Sequence, residues 1–160
     1  MTILLSLLLL AQNIDTVDPV TGELPVDPYE QSNDNAGADP FANGKMAAAF
    51  HGQEGISRIA NGLVDRITVD PRIEDIFKGQ DMVRLRRTLF EQFCYILNAG
   101  CDYSGRDMKT AHRDLGIQRA DLNALVENLQ GAMSEEGISF AAQNRFLSKL
   151  APMDGDVVER

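Results

Sequence analysis

From Met46 onward, apolar residues return at helical spacing, and the runs are separated by proline, glycine and asparagine. Ile56, Ile59, Ala60, Leu63 and Ile67 make one stripe, which Pro71 stops at "TVDP". The "RIEDIF" that follows predicts a short helical turn. Met82, Leu85, Leu89, Phe93 and Ile96 make a second stripe, with Arg84, Arg86 and Arg87 around it. Beyond the loop "NAGCDYSG", a short helix is expected from about Met108 to Leu115, with Gly116 as its C-cap. Leu122, Leu125, Val126, Leu129 and Met133 give a further face that closes at "EEG". Phe146, Leu147 and Leu150 mark a last helix, ended by Pro152. No run alternates as a half-buried strand would. The pattern predicts an all-α domain of four substantial helices with short connecting pieces.

The first 45 residues read differently. "MTILLSLLLLAQN" opens with an apolar run too short for the roughly 20 residues a transmembrane helix needs. Residues 1–11 fit the apolar core of a secretory signal followed by small Ala11, the alternative being a buried N-terminal helix. Residues 12–45 are rich in Asp, Asn, Gly and Pro and poor in apolar side chains, so they are expected to form a disordered acidic linker.

Composition narrows the function. With 44% hydrophobic and 24% charged residues the chain can build a core. A formal charge of -9 disfavours nucleic acid and anionic membrane surfaces. Cys94 and Cys101 are close enough in sequence to close a small disulfide loop, which would suit an oxidising compartment; two reduced thiols are the alternative. No CxxC or CxxCH occurs, so neither a zinc knuckle nor a covalent haem attachment of that type is indicated.

The chain has two histidines. His112 shares an apolar helical face with Met108 and Leu115. No cluster of His, Cys and carboxylate surrounds it in sequence, which argues against zinc. One histidine on apolar ground is enough for haem iron, because the porphyrin supplies four further nitrogens. On spacing alone, a satisfied or surface histidine is the commoner case.

Residues 46–153 resemble the group I truncated haemoglobins. The resemblance is carried by "VDP" at 69–71, "IFKGQDMVRL" at 76–85, "YSGRDMKTAH" at 103–112, "GI" at 116–117 and "LAPM" at 150–153. It implies a truncated globin fold, a two-on-two helical sandwich around a haem pocket, over 46–153, leaving 154–160 as a flexible C-terminal tail. It implies non-covalent haem b with His112 as the proximal iron ligand and Phe77 against the porphyrin. Leu85 and Leu89 fall on the distal helix, and Met108, Ile117, Leu122, Leu125 and Leu129 at haem-lining positions. Arg84 and Arg87 would pair with the propionates, a solvated helix face being the equal alternative.

The chain also departs from the family. Val64 stands where a distal tyrosine is common, and Leu89 where a glutamine supports it. Thr88 replaces the histidine that makes some relatives six-coordinate, and His51-Gly52 takes the place of a glycine pair. Thr88, Gln80 and Gln92 are the nearest polar groups. The distal pocket is therefore expected to be apolar and poor at holding dioxygen, while carbon monoxide and nitric oxide bind comparatively well. The implied function is reversible binding of a diatomic gas, hence oxygen binding or transport, rather than catalysis. Alternatives are nitric oxide oxidation or peroxidase chemistry with an external reductase, a gas sensor, and a helical interaction module without haem. The protein is expected to be periplasmic or secreted, otherwise cytoplasmic, without a membrane span or nucleic-acid partner, and a monomer or weak dimer.

Overall fold

The computed structural model describes residues 16–159. The apolar leader, residues 1–11, lies outside them. Among the described residues there is no strand, and no helix is long and apolar enough to cross a membrane. The fold is all-α. Among the described residues eight α-helices follow one another: α1 (Lys45–Ala49), α2 (Gly52–Ile67), α3 (Glu74–Phe77), α4 (Met82–Ile96), α5 (Met108–His112), α6 (Arg119–Glu135), α7 (Phe140–Leu150) and α8 (Asp154–Val157). The four long ones are α2, α4, α6 and α7, and they coincide with the four apolar stripes.

α2 is the central element, packed against both α4 and α6. Its Ile56, Ile59, Ala60, Leu63, Val64 and Ile67 are all buried, the i, i+3, i+4 set of one helical face. Phe146 of α7 fills the middle of the core, edge-on to Phe50 at 5.3 Å and to Phe93 at 5.1 Å. Side chains set the helix starts: Asp81 accepts from the Arg84 N–H, Asp107 from Thr110 and Ser139 from Ala142. The "VDP" turn has a physical role too. The Asp70 carboxylate accepts from Arg72 and from Asn128 of α6, so one side chain ties the α2–α3 turn to α6.

Three expectations need correction. Residues 16–45 of the segment read as a disordered linker lie ordered on the helical body. Glu23 is buried, Ala36 is fully buried in the core, and Asn33–Ala36 form a turn of 3-10 helix capped by Ser32. Local composition argued for solvation, but distant charges and carbonyls hold this segment in place. The C-terminal stretch is also docked: Val157 is buried, and the Glu159 N–H donates to the Ile117 carbonyl at 2.9 Å. Finally, α5 ends at His112 rather than Leu115, because Arg113 turns extended and Asp114 and Gly116 both take positive φ, 63° and 65°. Cys94 and Cys101 are bridged, joining the last turn of α4 to the loop that leads to α5.

Candidate ligand cavity

α3, α4, α5 and α6 do not close on one another. They surround a largely apolar cavity of about 410 Å³, within the usual size range of small-molecule sites. Phe77 of α3, Leu85 and Leu89 of α4, Met108 and His112 of α5, and Leu122 and Leu125 of α6 all reach its wall, with Ile117 from the loop between α5 and α6. Ile67, Ile73 and Ile76 add to the same surface.

His112 is the last residue of α5, half-buried on that wall. Its Nδ1 lies 2.7 Å from the Met108 carbonyl. A carbonyl only accepts, so Nδ1 carries a proton, and in the neutral ring the lone pair is on Nε2. That is the tautomer a metal-ligating imidazole needs, fixed by the backbone of its own helix. Among the described residues no group of three or more His, Cys, Asp or Glu could hold a metal ion. A metal here would need a ligand set brought from outside. His51 is elsewhere, where the chain turns into α2, bonded to Glu136 at 2.9 Å.

The run "YSG" before α5 has a steric reason. Tyr103 is buried with its hydroxyl donating to the Arg106 carbonyl, and a Cβ on Gly105 would stand 2.2 Å from that hydroxyl oxygen. Only glycine lets the tyrosine fold back over the chain. Burial also pushes the Tyr103 phenol well above its ordinary pKa, so it stays protonated.

The polar side chains on the wall are mostly spent. The Thr88 hydroxyl donates back to the Arg84 and Leu85 carbonyls of its own helix. Gln92 gives its amide to the Ala36 carbonyl at 2.8 Å and to the Met108 sulfur. Tyr29 donates to the Ser104 carbonyl. Gln80 is exposed at the rim. Arg84 is the exception, since its buried Nε makes no hydrogen bond, the Asp81 carboxylate standing 3.6 Å away. An N–H in that state awaits an acceptor, and a guanidinium favours a carboxylate.

Three residues expected at the site are not on the wall. Val64 is fully buried, but α2 touches the cavity only through Ile67, one turn later. Leu129 is also fully buried, one turn beyond Leu125, where α6 has passed into the helical core. Arg87 turns its guanidinium to Glu23, Glu91 and Ser104. Sequence reading missed Leu24, Pro25, Val26 and Tyr29, which form part of the wall, and Val157 from α8. Their signal was present as the apolar side chains of "LPVDPY" inside an acidic stretch.

The bacterial-like globin family model matches residues 48–159. A group 1 truncated haemoglobin of Nostoc commune is 28% identical over 109 residues, covering 68% of this chain and 92% of that one. Among solved structures, the truncated haemoglobin of Tetrahymena pyriformis in its Fe(III) form superposes with a TM-score of 0.69 at 20% identity, covering 72% of this chain and 98% of the other. A 2/2 haemoglobin from a Synechococcus species, in the cyanomet state with covalently attached haem, gives a TM-score of 0.66 at 20% identity over the same shares. An all-helical body of the two-on-two kind and a family match over residues 48–159 lead to one conclusion: the chain belongs to the bacterial-like globin family.

Proposed function

We propose that the cavity takes haem b without a covalent bond, that His112 would ligate its iron, and that the protein reversibly binds a diatomic gas. The observation that carries this reading is the hydrogen bond from His112 Nδ1 to the Met108 carbonyl on the wall of an apolar cavity, which leaves Nε2 as a ligand. Two features of the same wall fit the group. Its apolar lining suits a porphyrin face, with Phe77 available to stack, and the Arg84 Nε, which makes no hydrogen bond, suits a propionate. When bound, haem supplies a ferrous iron able to take a small gas as ligand.

The chain's own residues do the rest. Met108 fixes the imidazole tautomer, the leucines exclude water, and Arg84 offers a charge to the ligand's acid groups. Thr88, Gln92, Tyr29 and Tyr103 have already committed their donors, so a gas in this cavity would find little hydrogen bonding. The same shortage disfavours nitric oxide oxidation or peroxidase chemistry, both of which benefit from polar groups that steer the reacting oxygen and would need a separate reductase. Non-covalent binding is supported by the chemistry of the other nucleophiles. Both cysteines are used in their mutual bridge, and His51 is bonded to Glu136. That bridge also supports an oxidising compartment, the periplasm or the exterior.

Haem reconstitution followed by absorption spectroscopy tests the reading. The wild-type chain is expected to give an intense Soret band that shifts on reduction and on adding carbon monoxide. His112→Ala is expected to lose most of that band at equal haem. A colourless wild-type protein, or a variant with unchanged spectra, would overturn it.

A further inference from the structure

Glu23 is a carboxylate with only 6% of its surface exposed, in a segment whose composition favours solvent. Such a group is costly to bury unless opposite charge meets it. Here two arginines of α4 do. Arg87 donates from Nε and Nη2 to its two oxygens, and Arg84 Nη2 lies 3.2 Å from Oε2. Arg84 also donates to the Leu24 carbonyl at 2.6 Å, and the Leu24 N–H donates to Asp81 at 2.7 Å. Arg87 is braced in turn by Glu91 at 3.0 Å. Six residues later the chain is fastened again, where the Tyr29 hydroxyl donates to the Ser104 carbonyl at 2.7 Å and the Arg106 guanidinium lies 5.9 Å from the ring centre. Leu24, Pro25 and Val26, between the two fastenings, face the cavity together with Tyr29 itself.

We propose that residues 23–29 are a strap forming one wall of the ligand site, latched by Glu23 to Arg84 and Arg87, and that release of this latch governs how fast the ligand enters and leaves. The proposal rests on the haem reading above, and the ligand class is the same planar apolar macrocycle with acidic edges. Arg84 connects the two: its Nη2 holds the strap, while its Nε makes no hydrogen bond, lying 3.6 Å from the Asp81 carboxylate, and can still donate to an acid group of the ligand. Glu23 therefore stays in place when the site fills, because Arg87 holds both its oxygens. Loosening the latch removes a wall from the filled site and a barrier from the empty one. Both rates rise together.

Glu23→Gln keeps the size of the side chain and removes its charge. Haem release is followed by transfer to an excess of an acceptor apoglobin, and uptake by mixing the apoprotein with haem. Loss of one charge-assisted contact predicts both to be faster, by roughly tenfold. In the haem-free chain, hydrogen exchange at the Leu24 amide is expected to speed up as well. Tyr29→Phe loosens only the far fastening, and is expected to move the rates the same way by less; it carries the test if Glu23→Gln does not fold. Wild-type rates in the variants would overturn the strap. So would slower haem release, which would make Glu23 a competitor for the ligand's acid groups rather than a latch. The Leu24 measurement needs no haem, so protection that falls in a chain that never takes up haem would separate a true strap from a failed haem reading.

Discussion

Leu85 and Leu89 bring hydrocarbon to the cavity, and the hydroxyl of Thr88 between them is turned onto its own helix. A bound gas with charge on its outer atom would have to do without a donor from Leu85, Thr88 or Leu89. Dioxygen is therefore expected to leave quickly. Leu89→Gln would supply a donor, and a charge-assisted bond of about 1.5–3 kcal/mol slows release by roughly one to two decades. Stopped-flow displacement of dioxygen by carbon monoxide measures this; an unchanged rate in the variant would mean that another donor already serves the site. At this scale the sequence was informative where chemistry is concentrated in one motif. His112, Phe77, Leu85, Leu89, Leu122 and Leu125 all reach the wall, because the motifs around them carry register as well as identity. Arg87 shows the opposite. Its position on α4 was readable, but its partner Glu23 stands 64 residues away, and no local window could choose between that carboxylate and a propionate.

Among the elements, the loop between α4 and α5 is the one whose position matters most to His112. It is pinned by the Cys94–Cys101 bridge, by Ser104 on Glu91, and by Asn33 accepting from the Tyr103 N–H at 2.7 Å. Replacing both cysteines by serine is expected to destabilise the fold by about 2 kcal/mol, the lower part of the usual range because the closed loop is short. The denaturant midpoint of the wild-type protein should fall on adding reductant, while that of the double variant should not respond. The long helices were legible from periodicity because each buries a continuous face. The short pieces were not. α8 has four residues, too few to show a period, and it is held by Val157 and by the bond between Glu159 and Ile117. The stretch before α1 has no regular pattern of its own. Its order comes from contacts such as the Gln92 amide on the Ala36 carbonyl, which belong to tertiary structure.

For the molecule as a whole, acidity and stability are linked through Glu136. This residue follows α6 and joins it to the start of α2, accepting two bonds from Arg58 at 2.8 Å and one from His51 at 2.9 Å. Arg58 first, and His51 second, hold its pKa down at about 2 against an ordinary value of 4.5. A carboxylate with a lowered folded-state pKa stabilises the fold above its unfolded value, and that contribution fades as pH falls from about 4.5 through about 2. Arg58 is well exposed, so solvent screening reduces the effect. Glu136→Gln is expected to cost on the order of 1–2 kcal/mol at neutral pH and much less near pH 2. Urea titrations of both proteins across that range test it, and a gap that stays constant with pH would rule out the electrostatic origin.

The strap has a practical consequence for anyone who wishes to label this protein. A dye or affinity handle joined ahead of residue 16 would stand only a few residues along the chain from Glu23 and its latch. The start of α7 offers a better place. Phe140 there is 71% exposed, and α7 contributes nothing to the cavity wall, so a reporter attached on that face would leave both the strap and the wall untouched.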